Sequence, residues 1–299
     1  MRYILVLIFF ATIHNNSKAC EVCGGGAGAI NLSMQPDLEK NFAGIRYRNS
    51  AFNSHLNAGE RFRTQENFNT FEFWGRYFIN KNWNIVASLP FSIHSQTQLI
   101  SNEKTNLSGI GDAAFLVAYK FDNKMIDDRN APKHTFLIGS GLKLPTGHYK
   151  YNEESLQDVA NPNFQLGTGS VDMLFNLNYL LEVQDFGFAT DLQLRYNFPN
   201  IRDYKFGDRA IVNSMIYWRF ENQLFSFAPN IGAMLEAFNA DVHKSEKISV
   251  TGGHILNLTV GTNIMFDNYA LGVFYFYPLD QKIGDNDLIS LDMLMLNLS

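Results

Sequence analysis

From residue 41 onward the chain alternates apolar and polar residues with a period of two, the mark of strands whose two faces meet different surroundings. Phe186, Phe188, Leu192, Leu194, Tyr196 and Phe198 fall on one face of a segment, and Gly187, Ala189, Asp191, Gln193, Arg195 and Asn197 on the other. Trp83, Ile85, Ala87, Leu89, Phe91 and Ile93 oppose Asn84, Ser88 and Ser92 in the same way. The pattern predicts about twelve strands, near 41–49, 68–80, 82–94, 110–122, 133–145, 165–183, 186–198, 207–220, 223–238, 248–266, 269–278 and 288–298. Tight or modest connections (Asn80-Lys81, Phe121 to Pro132, Gln184-Asp185, Glu221-Asn222, Asp267-Asn268) alternate with longer ones through Ser50–Asn67, Ser95–Gly109, Thr146–Phe164, Pro199–Phe206, Asn239–Lys247 and Leu279–Asp287. Short turns on one side and long loops on the other describe an all-β, up-and-down antiparallel transmembrane β-barrel with both termini in the periplasm.

Composition narrows the solvent. Phe 26 and Tyr 13 make the chain aromatic-rich, yet mean hydropathy is only -0.14. Past the first residues no apolar run is long enough for a membrane helix, which takes about 18 residues or more. A soluble barrel would turn its apolar face inward, and its interior would be hard to fill with so many Phe, Tyr and Leu faces. Glu72, Arg76, Lys143, Asp191 and Arg195 sit mid-strand, where a wet lumen can hold them; Glu72, Arg76, Asp191 and Arg195 become candidate selectivity residues. A net charge of -5 gives no reason to expect nucleic acid as a partner.

The N-terminus has the form of an export signal. Arg2 precedes an apolar run from Ile4 to Ile13, and Ser17-Lys18-Ala19 supplies small residues before a cleavage point. The expected division is a secretory signal at 1–19, a Cys/Gly-rich segment at 20–40 serving as plug or tail, and the barrel at 41–299. Cys20 and Cys23, the two cysteines of the chain, are followed by Gly24-Gly25-Gly26-Ala27-Gly28. Three readings stand open: a small disulfide loop in an oxidising compartment, a lipid anchor on Cys20, or a thiolate pair for copper or zinc. No other cofactor is expected.

Four phrases then appear in order. Gly75-Arg76-Tyr77 runs through Asn80-Lys81-Asn82-Trp83 to Ser88-Leu89-Pro90-Phe91, and Ser108-Gly109-Ile110-Gly111-Asp112 leads to Tyr119-Lys120-Phe121. Gly141-Leu142-Lys143-Leu144-Pro145-Thr146-Gly147 and Gln165-Leu166-Gly167-Thr168-Gly169-Ser170 follow. Together, over roughly residues 40 to 280, they resemble the outer-membrane β-barrel family named for the meta-pathway of phenol degradation, distantly similar to the long-chain fatty-acid transporters. The CxxC-Gly start resembles that of members from Bacteroidetes-like bacteria. The resemblance implies an outer-membrane barrel passing small, often hydrophobic compounds, with lipid, a small-molecule solute and the outer-membrane assembly machinery as partners. The chain departs from many such barrels in ending Leu296-Asn297-Leu298-Ser299 rather than in an aromatic residue.

The remaining chemistry is thinner. His148 and Tyr149, in a loop after Leu-Pro-Thr-Gly, are candidate ligand contacts. His243-Lys244-Ser245 has the His-x-Ser spacing of outer-membrane phospholipases, but it falls in a charged loop with no evident third partner. The Gly-x-Gly-Asp and Gly-Thr-Gly-Ser phrases lead into no helix, so they read as bends and close strand approaches rather than phosphate loops. The functional expectation is a non-enzymatic channel or transporter, with a metal-handling protein using Cys20 and Cys23 as the alternative and a membrane-embedded hydrolase as a minor one.

Overall fold

A computed structural model describes residues 40–55, 63–122, 131–149, 164–248, 251–284 and 288–299. The signal, Cys20, Cys23 and the plug-or-tail segment up to residue 39 lie outside the described residues.

The strands in chain order are β1 (Phe42–His55), β2 (Arg63–Phe78), β3 (Trp83–Gln98), β4 (Lys104–Ile110), β5 (Ala113–Asp122) and β6 (Lys133–Leu144). They continue with β7 (Asp172–Val183), β8 (Phe186–Tyr196), β9 (Tyr204–Lys205), β10 (Arg209–Trp218), β11 (Phe220–Glu221) and β12 (Ser226–Phe238). The last are β13 (Val242–His243), β14 (Glu246–Lys247), β15 (Gly253–Phe266), β16 (Tyr269–Ile283) and β17 (Leu288–Leu298). Successive long strands pair antiparallel, β10 pairs with β12, and β1 pairs with β17, so the sheet closes on itself. Because β4 and β5 both pair with β3, they form one stave, and the barrel has twelve. Closure leaves no sheet edge, which a bilayer requires. The short strands β9, β13 and β14 make a separate three-stranded sheet in the loops.

Solvent preference is inverted. On β3, Trp83, Ile85, Leu89, Phe91 and Ile93 are exposed while Asn84, Ser88, Ser92 and His94 are buried. Exposed Tyr77, Trp83, Phe121, Trp218 and Tyr269 ring the turn end, the place of an interfacial aromatic girdle. An apolar outside around a polar inside is stable in lipid and not in water, so the soluble alternative is overturned.

Tracing paired residues once around the ring gives the tilt. Phe42 leads through Arg76, Val86, Leu116, Gly141, Leu174, Arg195, Arg209, Phe238, Gly253, Ile283 and Leu288 to Ser54. The path starts at the turn end of β1 and returns near its loop end, so each ladder row climbs the wall as it passes from stave to stave.

Two-residue turns join β7 to β8 and β15 to β16, at the positions expected, and Gln184 (φ 53°) and Asp267 (φ 49°) open them in the left-handed conformation such turns use. Boundaries differ in two ways. Strand β7 starts at Asp172 and β15 at Gly253, so 165–171 and, among the described residues, 248, 251 and 252 are not strand. Conversely β1, β2, β3 and β16 run further toward the loops than the apolar pattern does. The outward face turns polar where the extensions begin: Asn49 Nδ2 donates to Asn67 Oδ1 (3.0 Å) and Asn69 Oδ1 (2.9 Å), and Tyr47 OH donates to Asn69 Oδ1 (2.7 Å). The ladder therefore continues above the lipid, where outward side chains no longer need to be apolar.

Candidate functional site: a clasped mouth and a charged waist

The mouth is built around one extra residue. Between its pairings with β3, the β4–β5 stave advances from Ile110 to Ala114 while β3 advances only from Ser88 to Phe91. This bulge lies opposite Pro90, which has no N–H to give, and it turns the Asp112 side chain into the lumen. There Asp112 Oδ2 accepts from Lys143 Nζ (2.7 Å), Thr168 N (2.9 Å) and Thr168 Oγ1 (3.1 Å), and its Oδ1 from Gly147 N (3.0 Å). Lys143 also approaches Asp172 Oδ2 to 2.6 Å and contacts Thr168. Asp172 in turn accepts from Ser170 Oγ (2.8 Å) and Phe198 N (3.1 Å). All three charged side chains are at most 1% exposed. At such burial each charge depends on its partners.

Three glycines allow the backbones to meet. A Cβ on Gly147 would lie 2.7 Å from Leu166 O, one on Gly167 2.3 Å from Asp112 Oδ1, and one on Gly111 3.0 Å from Leu166 O. The clasp thus holds segment 164–170 against the inner wall, with the Phe164 ring 6.2 Å from Phe68 and 6.3 Å from His94. The expectation of bends and close approaches at the glycine phrases describes what they do here.

From the clasp a chain of hydrogen bonds crosses the loops. Asn200 Nδ2 donates to Thr168 O (3.0 Å), Tyr204 N donates to Asn200 Oδ1 (3.2 Å), and Tyr204 OH donates to Asp241 Oδ2 (2.5 Å). Asp241 Oδ1 also accepts from Gly207 N (2.6 Å), and Asp241 N donates to Thr251 Oγ1 (2.6 Å). Burial pushes the Asp241 carboxyl up to about 6, against the opposing pull of the Tyr204 and Gly207 donors and of the Arg209 charge.

Below the mouth lies a charged waist. Arg46 is 3% exposed; its Nη1 meets Glu72 Oε2 at 3.0 Å, its Nε donates to Asn297 Oδ1 (3.1 Å), and its guanidinium stacks 3.7 Å from the Trp74 ring centroid. Staves β1 and β8 stand six apart in either direction, so Arg46 and Asp191 project inward from opposite walls. Asp191 accepts from Asn176 Nδ2 (2.8 Å), Asn178 and Gln193. Arg209 Nη1 pairs with Glu236 Oε1 at 2.6 Å, and Arg48 shares the inward face of β1 with Arg46. Inward apolar side chains gather on the same rows, with Leu137, Met215, Met234, Phe274 and Phe276 all buried.

Of the residues singled out from sequence, Glu72, Arg76, Asp191 and Arg195 all face inward and are buried. The structure adds Arg46, Arg48, Arg209 and Glu236 to them; Arg46 and Arg48 alternate with Ile45 and Tyr47 and carry the same inward signal. His148 is exposed at the mouth, apart from the waist, and Tyr149 is half-buried with its ring 6.0 Å from Phe206. His243 lies 5.9 Å from the Tyr204 ring, and Ser245 is exposed in the β13–β14 hairpin with φ 69°.

The family model described as "Putative MetA-pathway of phenol degradation" matches residues 46–267. The chain belongs to this family. The matched region takes in the clasp, the Arg46–Glu72 pair and Asp191. No curated protein matches the sequence. Among solved structures, the fold is similar to that of the COG4313 outer membrane channel from Pseudomonas putida F1, with a TM-score of 0.64 at 15% identity over 88% of this chain and 97% of that one. The translocator domain of autotransporter NalP from Neisseria meningitidis aligns with a TM-score of 0.43 at 9% identity, over 89% of both chains.

Proposed function

We propose that this protein is an outer-membrane channel or transporter that passes a small solute through its lumen. The observation that carries the reading is the inward charge set of the closed barrel. Along the inner wall stand five guanidinium groups, from Arg76 at the turn end through Arg46 and Arg48 to Arg195 and Arg209 near the loop end, with four carboxylates (Glu66, Glu72, Asp191, Glu236). A wall with no transport role would favour an apolar or self-neutral filling, because buried charge is costly. The excess of guanidinium groups favours a polar or anionic solute over the hydrophobic one that the family resemblance implies. Inward apolar side chains between the charged ones are buried, so the passage is narrow.

The orientation belongs to the same proposal. Short turns and both ends of the barrel lie at one end, the periplasmic one, and the clasped loops face outward. The likeness to the Pseudomonas putida F1 channel supports the fold on which this rests.

The test is conductance and reversal potential in planar bilayers, with and without residues 20–40. Ion flux with a preference set by the waist is expected. Correctly folded protein that passes neither ions nor solute in both forms would overturn the reading.

A further inference from the structure

One outward ladder row departs from the apolar belt. Phe175 on β7 pairs with Leu194, then Ala210, Ala237, His254 and finally Lys282 on β16. By the tilt derived above, this row climbs from within the lipid belt toward the loop end, so its apolar members lie low and its basic members high. Two adjacent alanines make its floor shallow. Above them, Asn239, Ala240, Lys247 and Gly252 overhang as an upper lip, and the recess enclosed is about 1110 Å³. That exceeds the roughly 300–1,000 Å³ of ordinary small-molecule pockets.

The charges at the upper end are uneven. His254 Nε2 is held by Asp280 Oδ2 at 3.1 Å, and Asp208 at the rim is taken by Lys205 at 3.1 Å. Among the described residues Asp280 and Asp208 near the groove are therefore engaged, while Lys247 and Lys282 are exposed at its head. An apolar stretch of Phe175, Leu194, Ala210 and Ala237 in an otherwise mixed recess, ending in two ammonium groups toward the loops, matches a molecule with an acyl chain below and a phosphate above.

We propose that this groove docks a phosphate-bearing lipid of the outer leaflet, its acyl chain along Phe175, Leu194 and the two alanines and its phosphate between Lys247 and Lys282. The proposal rests on the loop end facing outward and is independent of what the lumen carries.

The experiment titrates detergent-solubilised full-length barrel with bis-phosphorylated lipid A, its dephosphorylated form, and inorganic pyrophosphate, read by native mass spectrometry. Phosphorylated lipid A is expected to bind more tightly than the dephosphorylated form. Lys247→Gln/Lys282→Gln should weaken it by about thirtyfold, given two lysines at an anionic interface. Ala237→Trp, which fills the floor, should weaken both lipids alike. Heat-modifiable gel mobility verifies that each variant is folded, and the Lys247→Gln single variant serves if the double one is not. Equal affinity across folded variants would overturn the proposal. Displacement of lipid by equimolar pyrophosphate would overturn it too, leaving a phosphate site without a lipid. Channel conductance should be the same in all the variants, so failure here is distinguishable from failure of the transport reading.

Discussion

Lys143 on β6 and Asp172 on β7 are direct cross-strand partners, and their 2.6 Å ion pair is fully inside the barrel mouth with Asp112 closing the other side. The cation is held by two acids from two different staves, so it joins the strand ladder to the bulge and to the segment the bulge captures.

Removing the cation should open the clasp. Lys143→Met leaves Asp112 and Asp172 facing each other without a counter-charge, a change that costs roughly 3–5 kcal/mol in buried pairs. The expected results are a lower unfolding midpoint in heat-modifiable gel mobility and larger, noisier single-channel currents as 164–170 leaves the wall. Lys143→Met combined with Asp112→Asn should recover part of the midpoint. An unchanged midpoint and unchanged current would show that the segment is held by packing alone.

The loop chain should depend on pH through Asp241. Its carboxyl is raised to about 6 in the folded loops, against about 3.9 when unfolded. The folded state therefore holds the proton more tightly. Its contribution is complete below the unfolded value and is lost as pH rises through about 6. Hydrogen exchange in 239–248 should be slower at pH 4 than at pH 7 after correction for intrinsic rates. Asp241→Asn should flatten that difference.

The lipid belt can be tested at one position. Leu177 is 39% exposed on the outer face of β7, between Ile138 and Leu192 in the register. Leu177→Arg should cost about 2–4 kcal/mol of folding stability in bilayers, the range for a cation near the midplane of a barrel wall. Urea titration into phosphatidylcholine vesicles measures it, and a cost under about 0.5 kcal/mol, typical of a water-facing position, would contradict the belt.

Opposite charges across the waist should shift ion preference in opposite directions. Arg46→Ala removes a cation stacked on Trp74 and is expected to move the reversal potential toward cation preference. Asp191→Asn, on the facing wall, should move it toward anions. Two variants shifting the same way would contradict the arrangement.

The alternation of residues along the chain determined the barrel, its stave number, the inward set around Glu72, Arg76, Asp191 and Arg195, and the turns at Gln184 and Asp267. That was legible because a bilayer demands opposite polarity on the two faces of every strand, and period two is a local property. The same logic explains where reading stopped short. Apolar alternation measures the thickness of the lipid and not the length of the strand, so β1, β2 and β3 continue past Asn49, Phe68 and His94, where no apolar signal remains.

Only the tertiary structure decided which charges meet. Asp112, Lys143 and Asp172 are spread over sixty residues, and no spacing rule links a bulge opposite Pro90 to a loop that begins past residue 145. Asp241 carries no local mark at all; its burial comes from Tyr204 and Gly207 on another loop. The strand tilt, which lifts one row from Phe175 to Lys282, exists only once the ring has closed. Polarity of a face is written residue by residue, whereas the partners of a buried charge depend on register and closure, which are properties of the whole sheet.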